Sequence, residues 1–335
     1  MTTHRERMEA CLRGETVDRP PVALWRHFPV DDQSPELLSE AHLAFQSMYD
    51  FDLVKVTPAS SFSVADWGIA DEWEGNTEGT RTYTRRVIHE PRDWGELRVL
   101  EPDAPHLARQ LRCLRLIRAA LGPDTPVLQT VFNPLSQAKH LASEATLLEH
   151  IRSSPDFLRA GLQTIAETTR RFIAAAVEAG ADGIFYAVQH AQRHLLSQRE
   201  FEGLSRDDDL SLLESAGGLW CNMLHVHGEG IHFAAFRDYP AQIINWHDRE
   251  SGPPLDRAGD LWPRALCGGL SRRALVLGHA AEVGREAGDA LASMHRRRLL
   301  LSTGCVVPIV APHGNIVAAA GVARISKEEP HGGTH

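Results

Sequence analysis

The sequence predicts an α/β fold, a closed (β/α)8 TIM barrel, on three observations. The chain has 335 residues, a length that suits one barrel with insertions. Eight short apolar runs are separated, for the most part, by stretches of helical period, which is the pattern of a parallel sheet covered on both faces. The loop after the first run, PPVALWRHFP, holds no glycine, whereas an open doubly wound sheet is expected to place a Gly-rich phosphate loop there.

Residues 4–13 read as an N-terminal helix closed by Gly14. The strand candidates follow in order: PPVALW (20–25), FDLVKVT (51–57), PVLQTVF (126–132), DGIFYAV (182–188), LWCNMLHVH (219–227), AQIINWH (241–247), ALCGGL (265–270) and LLLSTGC (299–305). β-Branched residues and bounding turn signals support each of them. Residues 78–100 break the alternation. They read as a β-hairpin insertion with its turn in PRDWG, which either shapes the barrel mouth or is a plain surface feature. One domain is expected over 1–325, with a disordered polar tail at 326–335.

Composition narrows the function. Hydrophobic residues make up 43% and charged residues 24%, so the core needs neither disulfide nor metal to fold. Net charge is -9 and no basic cluster stands out, which argues against nucleic-acid binding. No apolar run approaches the ~20 residues that span a bilayer. The N-terminus is charged and helix-like, unlike a signal sequence, so a cytoplasmic location is expected. Five cysteines, scattered and odd in number, read as free thiols or metal ligands.

Chemistry in such a barrel sits on the loops after the strands. The residues found there are Trp25, Arg26 and His27; Lys55 and Thr57; Asn133; Tyr186, Gln189 and His190; His225 and His227; Asn245, His247 and Asp248; and Cys305. His225 and His227 lie two apart, and strand alternation puts both on one side. With Cys305 at the end of the last strand they form a candidate metal set, since imidazole and thiolate are common zinc ligands and three of them leave a fourth position open. Core or surface histidines are the competing reading. Glu229 is a candidate partner that orients a ligating imidazole. Arg26, His27, Tyr186 and Asn245 are candidates for substrate binding, and Tyr186, His190 and His247 for catalysis.

Several blocks together resemble the uroporphyrinogen decarboxylase-like superfamily: RERMEACLRGETVDRPPVALWRHFP, FDLVKVTPASSFSVADWG, EAGADGIFYAV, LHVHGEG, NWHDR, CGGL and STGCVVPIVAPHGNIVAAAGVAR, in that order, from about residue 4 to 324. The resemblance implies the same barrel fold and one of two activities. The decarboxylase branch is cofactor-free and expects an Arg-rich first loop and an aspartate after the second strand. Here only Arg26 matches the loop, and Thr57-Pro58-Ala59-Ser60 stands where the aspartate is expected. Few cations are expected at this mouth for a polycarboxylate tetrapyrrole. The cobalamin-dependent methyltransferase branch carries His-x-Cys after the fifth strand and Cys after the eighth, as a zinc site that activates a thiol. His225 and Cys305 match, and His227 replaces the middle cysteine.

The resemblance therefore implies a zinc-dependent methyltransferase moving a methyl group between a corrinoid protein and a small thiol or other acceptor. A corrinoid protein is the implied partner, and a homodimer is compatible with the reading. The alternatives are a metal-free decarboxylase of a porphyrinogen or other carboxylated substrate, and a barrel that binds without catalysis.

Overall fold

The computed structural model describes residues 2–324; the tail expected at 326–335 lies outside them. The elements run α1 (His4–Arg13), α2 (Pro35–Tyr49), β1 (Val54–Val56), β2 (Ala70–Glu72), β3 (Thr82–Arg85), α3 (Pro105–Leu121), β4 (Val127–Phe132), α4 (Pro134–Ala142), α5 (Glu144–Ser153) and α6 (Pro155–Glu178). They continue with β5 (Gly183–Val188), α7 (Gln198–Phe201), α8 (Asp207–Ser215), β6 (Met223–Val226), β7 (Ile243–Trp246), α9 (Leu255–Leu261), β8 (Ala265–Leu270), α10 (Arg272–Leu277), α11 (Ala280–Ser293), β9 (Leu299–Thr303) and α12 (His313–Arg324).

Seven strands form one parallel sheet in the order β1-β4-β5-β6-β7-β8-β9. Both faces of the sheet are covered, so β5 and β8 read as nearly continuous apolar runs rather than alternating ones. The first expected strand, 20–25, does not form a regular ladder. Pro20 and Pro21 have no N–H to donate, and only Val22 bridges in parallel to Leu301 of β9. The backbone N–H of Ala23 donates to Leu301 O, and Leu301 N–H donates to Pro21 O. On the other side Asp52 N–H donates to Val22 O, while the Asp52 carboxylate accepts from Val22 N at 2.8 Å. The segment thus bridges β9 to the residues leading into β1, and a side chain supplies part of the seam.

That side chain is also the hub of an ion cluster at the N-terminal end of the barrel. Asp52 is fully buried and accepts from Arg7 Nη1 at 2.6 Å, Arg19 Nη1 at 2.6 Å and His4 Nδ1 at 3.0 Å. A second cluster forms around Asp182, which accepts from Arg118, Arg5, Trp220 and the backbone of Val127. α1 is fixed above these clusters by a reciprocal cap between Thr3 and Glu6, and it ends at Gly14, whose φ of 74° suits glycine.

The expected hairpin is present but sits earlier. β2 and β3 pair antiparallel over 70–85, and PRDWGE (91–96) is a 3-10 helix packed on α6. Pro91 at the first position of that helix and Asp93, which accepts from the backbone N–H of His89 and Glu90, turn the chain inward. Trp94 is buried there, so the segment is anchored rather than a free turn. Among the described residues no helix is long and apolar enough to cross a membrane, and all five cysteines are free.

Candidate metal centre

The C-terminal ends of β6, β7 and β9 bring four side chains together. Side chains two apart on a strand share a face, and β6 pairs with β7 so that His225 lies beside Asn245. His227 and His247 each follow by two residues, and Cys305 follows Thr303 by two. One ligand atom from each of His225, His227, His247 and Cys305 lies within 4.8 Å of every other. His247 Nε2 is 3.3 Å from His227 Nδ1, and Cys305 Sγ is 3.7 Å from the same nitrogen. Gly304 permits this approach. A Cβ there would meet Trp246 O at 2.5 Å and His247 Cα at 2.6 Å, so any larger residue pushes Cys305 away from the imidazoles.

The donor set fits a transition metal such as zinc. Tetrahedral zinc with nitrogen and sulfur ligands places those atoms roughly 3.3–3.8 Å apart, so only a small contraction separates this arrangement from a coordination shell. Asn245 sets the tautomer. Its Nδ2 donates to Cys267 O at 2.9 Å and Thr303 O at 3.0 Å, so its Oδ1 must accept from His225 Nδ1 at 2.7 Å. That leaves His225 Nε2 as the free ligand atom. Burial pushes the Cys305 thiol up, but its hydrogen-bonding contacts with His225, His227 and His247 outweigh burial and hold it well below the ordinary thiol range. Burial pushes the His225 imidazolium down, favouring the neutral, ligating form.

The cluster opens on a cavity of about 450 Å³, lined among others by Trp25, His27, Phe185, His225, His227 and Cys305. Besides Lys55 from β1, the structure brings to this cavity cations that the strand ends do not reveal: Arg81 and Arg86 from either end of β3, and Lys139 from α4. The sparsely cationic mouth expected from the sequence is thereby corrected. Arg81 is paired with Asp32 and Asp71. Burial lowers Lys55 to about 7.

The other sequence candidates divide. His27 lines the cavity and burial takes it down to about 4. His190 is buried behind the lining, with neither ring nitrogen hydrogen-bonded, and burial takes it down to about 3. His247, expected as a catalytic residue, joins the three candidate ligands in the cluster. Three placements differ from expectation. Arg26 turns from the cavity, stacks over Phe28 and Phe45 and donates to Ile309 O. Tyr186 points to the helix layer, where it donates to buried Asp209 at 2.8 Å; its neighbours Phe185 and Ala187 face the cavity instead. Asn245 is fully buried beneath His225 and has no route to a substrate. The orienting role considered for Glu229 falls to Asn245, since Glu229 is exposed and its backbone N–H is held by Gln192.

Comparison with known proteins finds relatives along most of the chain. The chain is 26% identical over 250 residues to the methylcobamide:CoM methyltransferase MtaA of Methanosarcina barkeri (strain Fusaro / DSM 804), covering 68% of this chain and 70% of that protein. Its fold matches a methyltransferase from Methanosarcina mazei with a TM-score of 0.84 at 21% identity, over 96% of this chain and 98% of that one. A B12-independent methionine synthase from Shewanella sp. W3-18-1 matches at a TM-score of 0.56 and 15% identity, over 94% and 97% of the two chains. The family profile described as uroporphyrinogen decarboxylase (URO-D) matches residues 3–324, and with nearly the whole described chain inside that match, this protein belongs to the uroporphyrinogen decarboxylase family.

Proposed function

We propose that this protein is a zinc-dependent methyltransferase that passes a methyl group between a corrinoid and a small thiol. One observation carries the reading: the convergence of His225, His227, His247 and Cys305 within 4.8 Å at the mouth of the barrel. The likeness to a methylcobamide:CoM methyltransferase supports the reaction class and a corrinoid as the methyl carrier. A zinc ion held there by three of the four side chains, the fourth giving way to the acceptor, would lower the pKa of a bound thiol and keep it as a thiolate at neutral pH. The protein's own residues do the rest. Asn245 fixes the ring of His225 so that one nitrogen faces the site. Trp25, Phe185 and Val306 wall the cavity with apolar surface and limit water around the sulfur. With His227 in place of a cysteine, the ligand set carries one thiolate, so it is more positive than a two-thiolate set. It holds an acceptor thiolate more firmly and makes it a weaker nucleophile.

The test joins metal analysis to turnover. Purified protein is expected to hold close to one equivalent of zinc, and to convert free methylcobalamin to cob(I)alamin in the presence of a thiol, followed by absorbance. Cys305→Ser should lose both. Less than about 0.2 equivalents of any transition metal, or porphyrinogen decarboxylation that persists with a chelator, overturns the reading in favour of a metal-free lyase.

A further inference from the structure

The cavity carries basic side chains that no carboxylate pairs at ion-pair distance. Among the described residues, Lys55, Arg86 and Lys139 all line it, and none of the three is within ion-pair distance of a carboxylate. Lys55 is 5% exposed. Its ammonium has one hydrogen-bond partner, Thr57 Oγ1 at 3.3 Å, and sits 4.6 Å from the centre of the Phe185 ring. Arg86 gives Nη1 to the carbonyls of Lys139 and His140 at the end of α4, which leaves its other nitrogens free. Lys139 gives one of its three protons to Gln189 at 2.8 Å. Of the two carboxylates in the lining, Glu78 is paired with Arg272, and Glu144, exposed at the rim, acts on Lys139 from beyond ion-pair distance.

A buried cation without a partner destabilises a fold, so its presence calls for an external anion. The cations fall in two places. Lys139 and Arg86 act on each other electrostatically and meet at the end of α4. Lys55 stands apart on β1, where Cys305 acts on it electrostatically. Phe185 links Lys55 to the metal set, because the same ring stacks on His225 at 5.0 Å. Lys55, Arg86, Lys139 and the metal set's His225, His227 and Cys305 all line this one cavity, so a single ligand in it can meet them together.

We infer that the acceptor is a small thiol bearing two acid groups, one held by Lys55 and the other by Arg86 with Lys139. The thiol part rests on the proposed function; the two acid groups rest on the cavity's charge alone.

The test is calorimetric titration of the full-length, metal-loaded protein with mercaptosuccinate (two acid groups), mercaptoacetate (one), mercaptoethanol (none) and succinate (no thiol). Affinity is expected to fall about tenfold with each acid group removed, the worth of one charge-assisted contact. Lys55→Met should abolish one step of the series, and Arg86→Met the other. Because Lys55→Met replaces a buried charge with an apolar chain of similar length, it should fold at least as well as the parent. Equal binding of mercaptosuccinate and mercaptoethanol overturns the inference, as does a Lys55→Met protein with the parent's full series. Succinate binding without methyl transfer to any thiol overturns the proposed function and leaves the two-acid site standing. Methyl transfer as efficient to mercaptoethanol as to mercaptosuccinate does the reverse.

Discussion

The two ends of the barrel both bury polar groups, but they treat them differently. At the N-terminal end Asp52 and Asp182 are each surrounded by donors, with arginines on both. At the C-terminal end Lys55 has no carboxylate within ion-pair distance, His190 lacks any hydrogen-bond partner, and four ligand atoms crowd together with one fixed hydrogen bond, from His225 to Asn245. Satisfied networks hold a fold together, whereas polar groups left short of partners mark the place where something else binds. Conservation plays no part in that contrast; the geometry alone separates structure from chemistry.

The largest effect should come from the open end. Cys305→Ser or His225→Ala is expected to lower methyl transfer by at least about a thousandfold, while melting of the metal-free protein moves by less than about 3 °C. A melting collapse in either variant would mean that the cluster is structural. Asp52→Ala should do the opposite. Arg19 loses its anion, Arg7 keeps only Asp18, and the Val22 seam loses an acceptor, which should destabilise by about 3–5 kcal/mol. Retained stability there would break the comparison from the other side.

Intermediate effects refine it. Asn245→Ala should weaken zinc binding by about 10–100-fold, measured by chelator competition, without removing a ligand. Acid should also distinguish the ends. Burial lowers His27 to about 4 and His42 to about 3, so each is held neutral in the fold below its unfolded value of 6.5. The stability they contribute is full above pH 6.5 and is lost as pH falls toward 4 or 3, by about 1.4 kcal/mol per imidazole for the first unit. His42 accepts from Thr57 N–H, a bond that glutamine can also accept, so His42→Gln should flatten the acid slope of the melting temperature. An unchanged slope would show that other groups set it. The smallest effect belongs to Tyr186→Phe, which removes one donor from Asp209 while Asn133, Ser205 and Tyr239 still donate to it. It should cost about 1 kcal/mol of stability and leave methyl transfer unchanged; a loss of turnover at full stability would return Tyr186 to the active site.

What could be read beforehand follows from the same physics. Seven of the eight strand runs form the sheet, because apolar runs bounded by turn residues are a strong signal. The run at 20–25 fell short of a ladder strand because its two prolines cannot donate. His225, His227 and Cys305 were legible through the period of two. His247 carried the same signal in Asn245-Trp246-His247, where it stands two residues past Asn245. Tyr186 and Arg26 were misplaced because a strand or loop buried on both sides does not announce which face each residue takes. Apart from Lys55, the cations could not be found at strand ends, since Arg81 and Arg86 flank a hairpin strand and Lys139 lies on a helix.

The seam at Val22 has a consequence for how the protein is made. Synthesis runs from the N-terminus, and early segments emerge long before late ones. Val22 and Asp52 wait for Leu301, nearly the whole chain later, before the ring can shut. Cys305 arrives on that same last strand, two residues past its end. The three imidazoles are already out on a half-finished sheet when the thiol joins them, so the site gains its only sulfur in the act that closes the barrel.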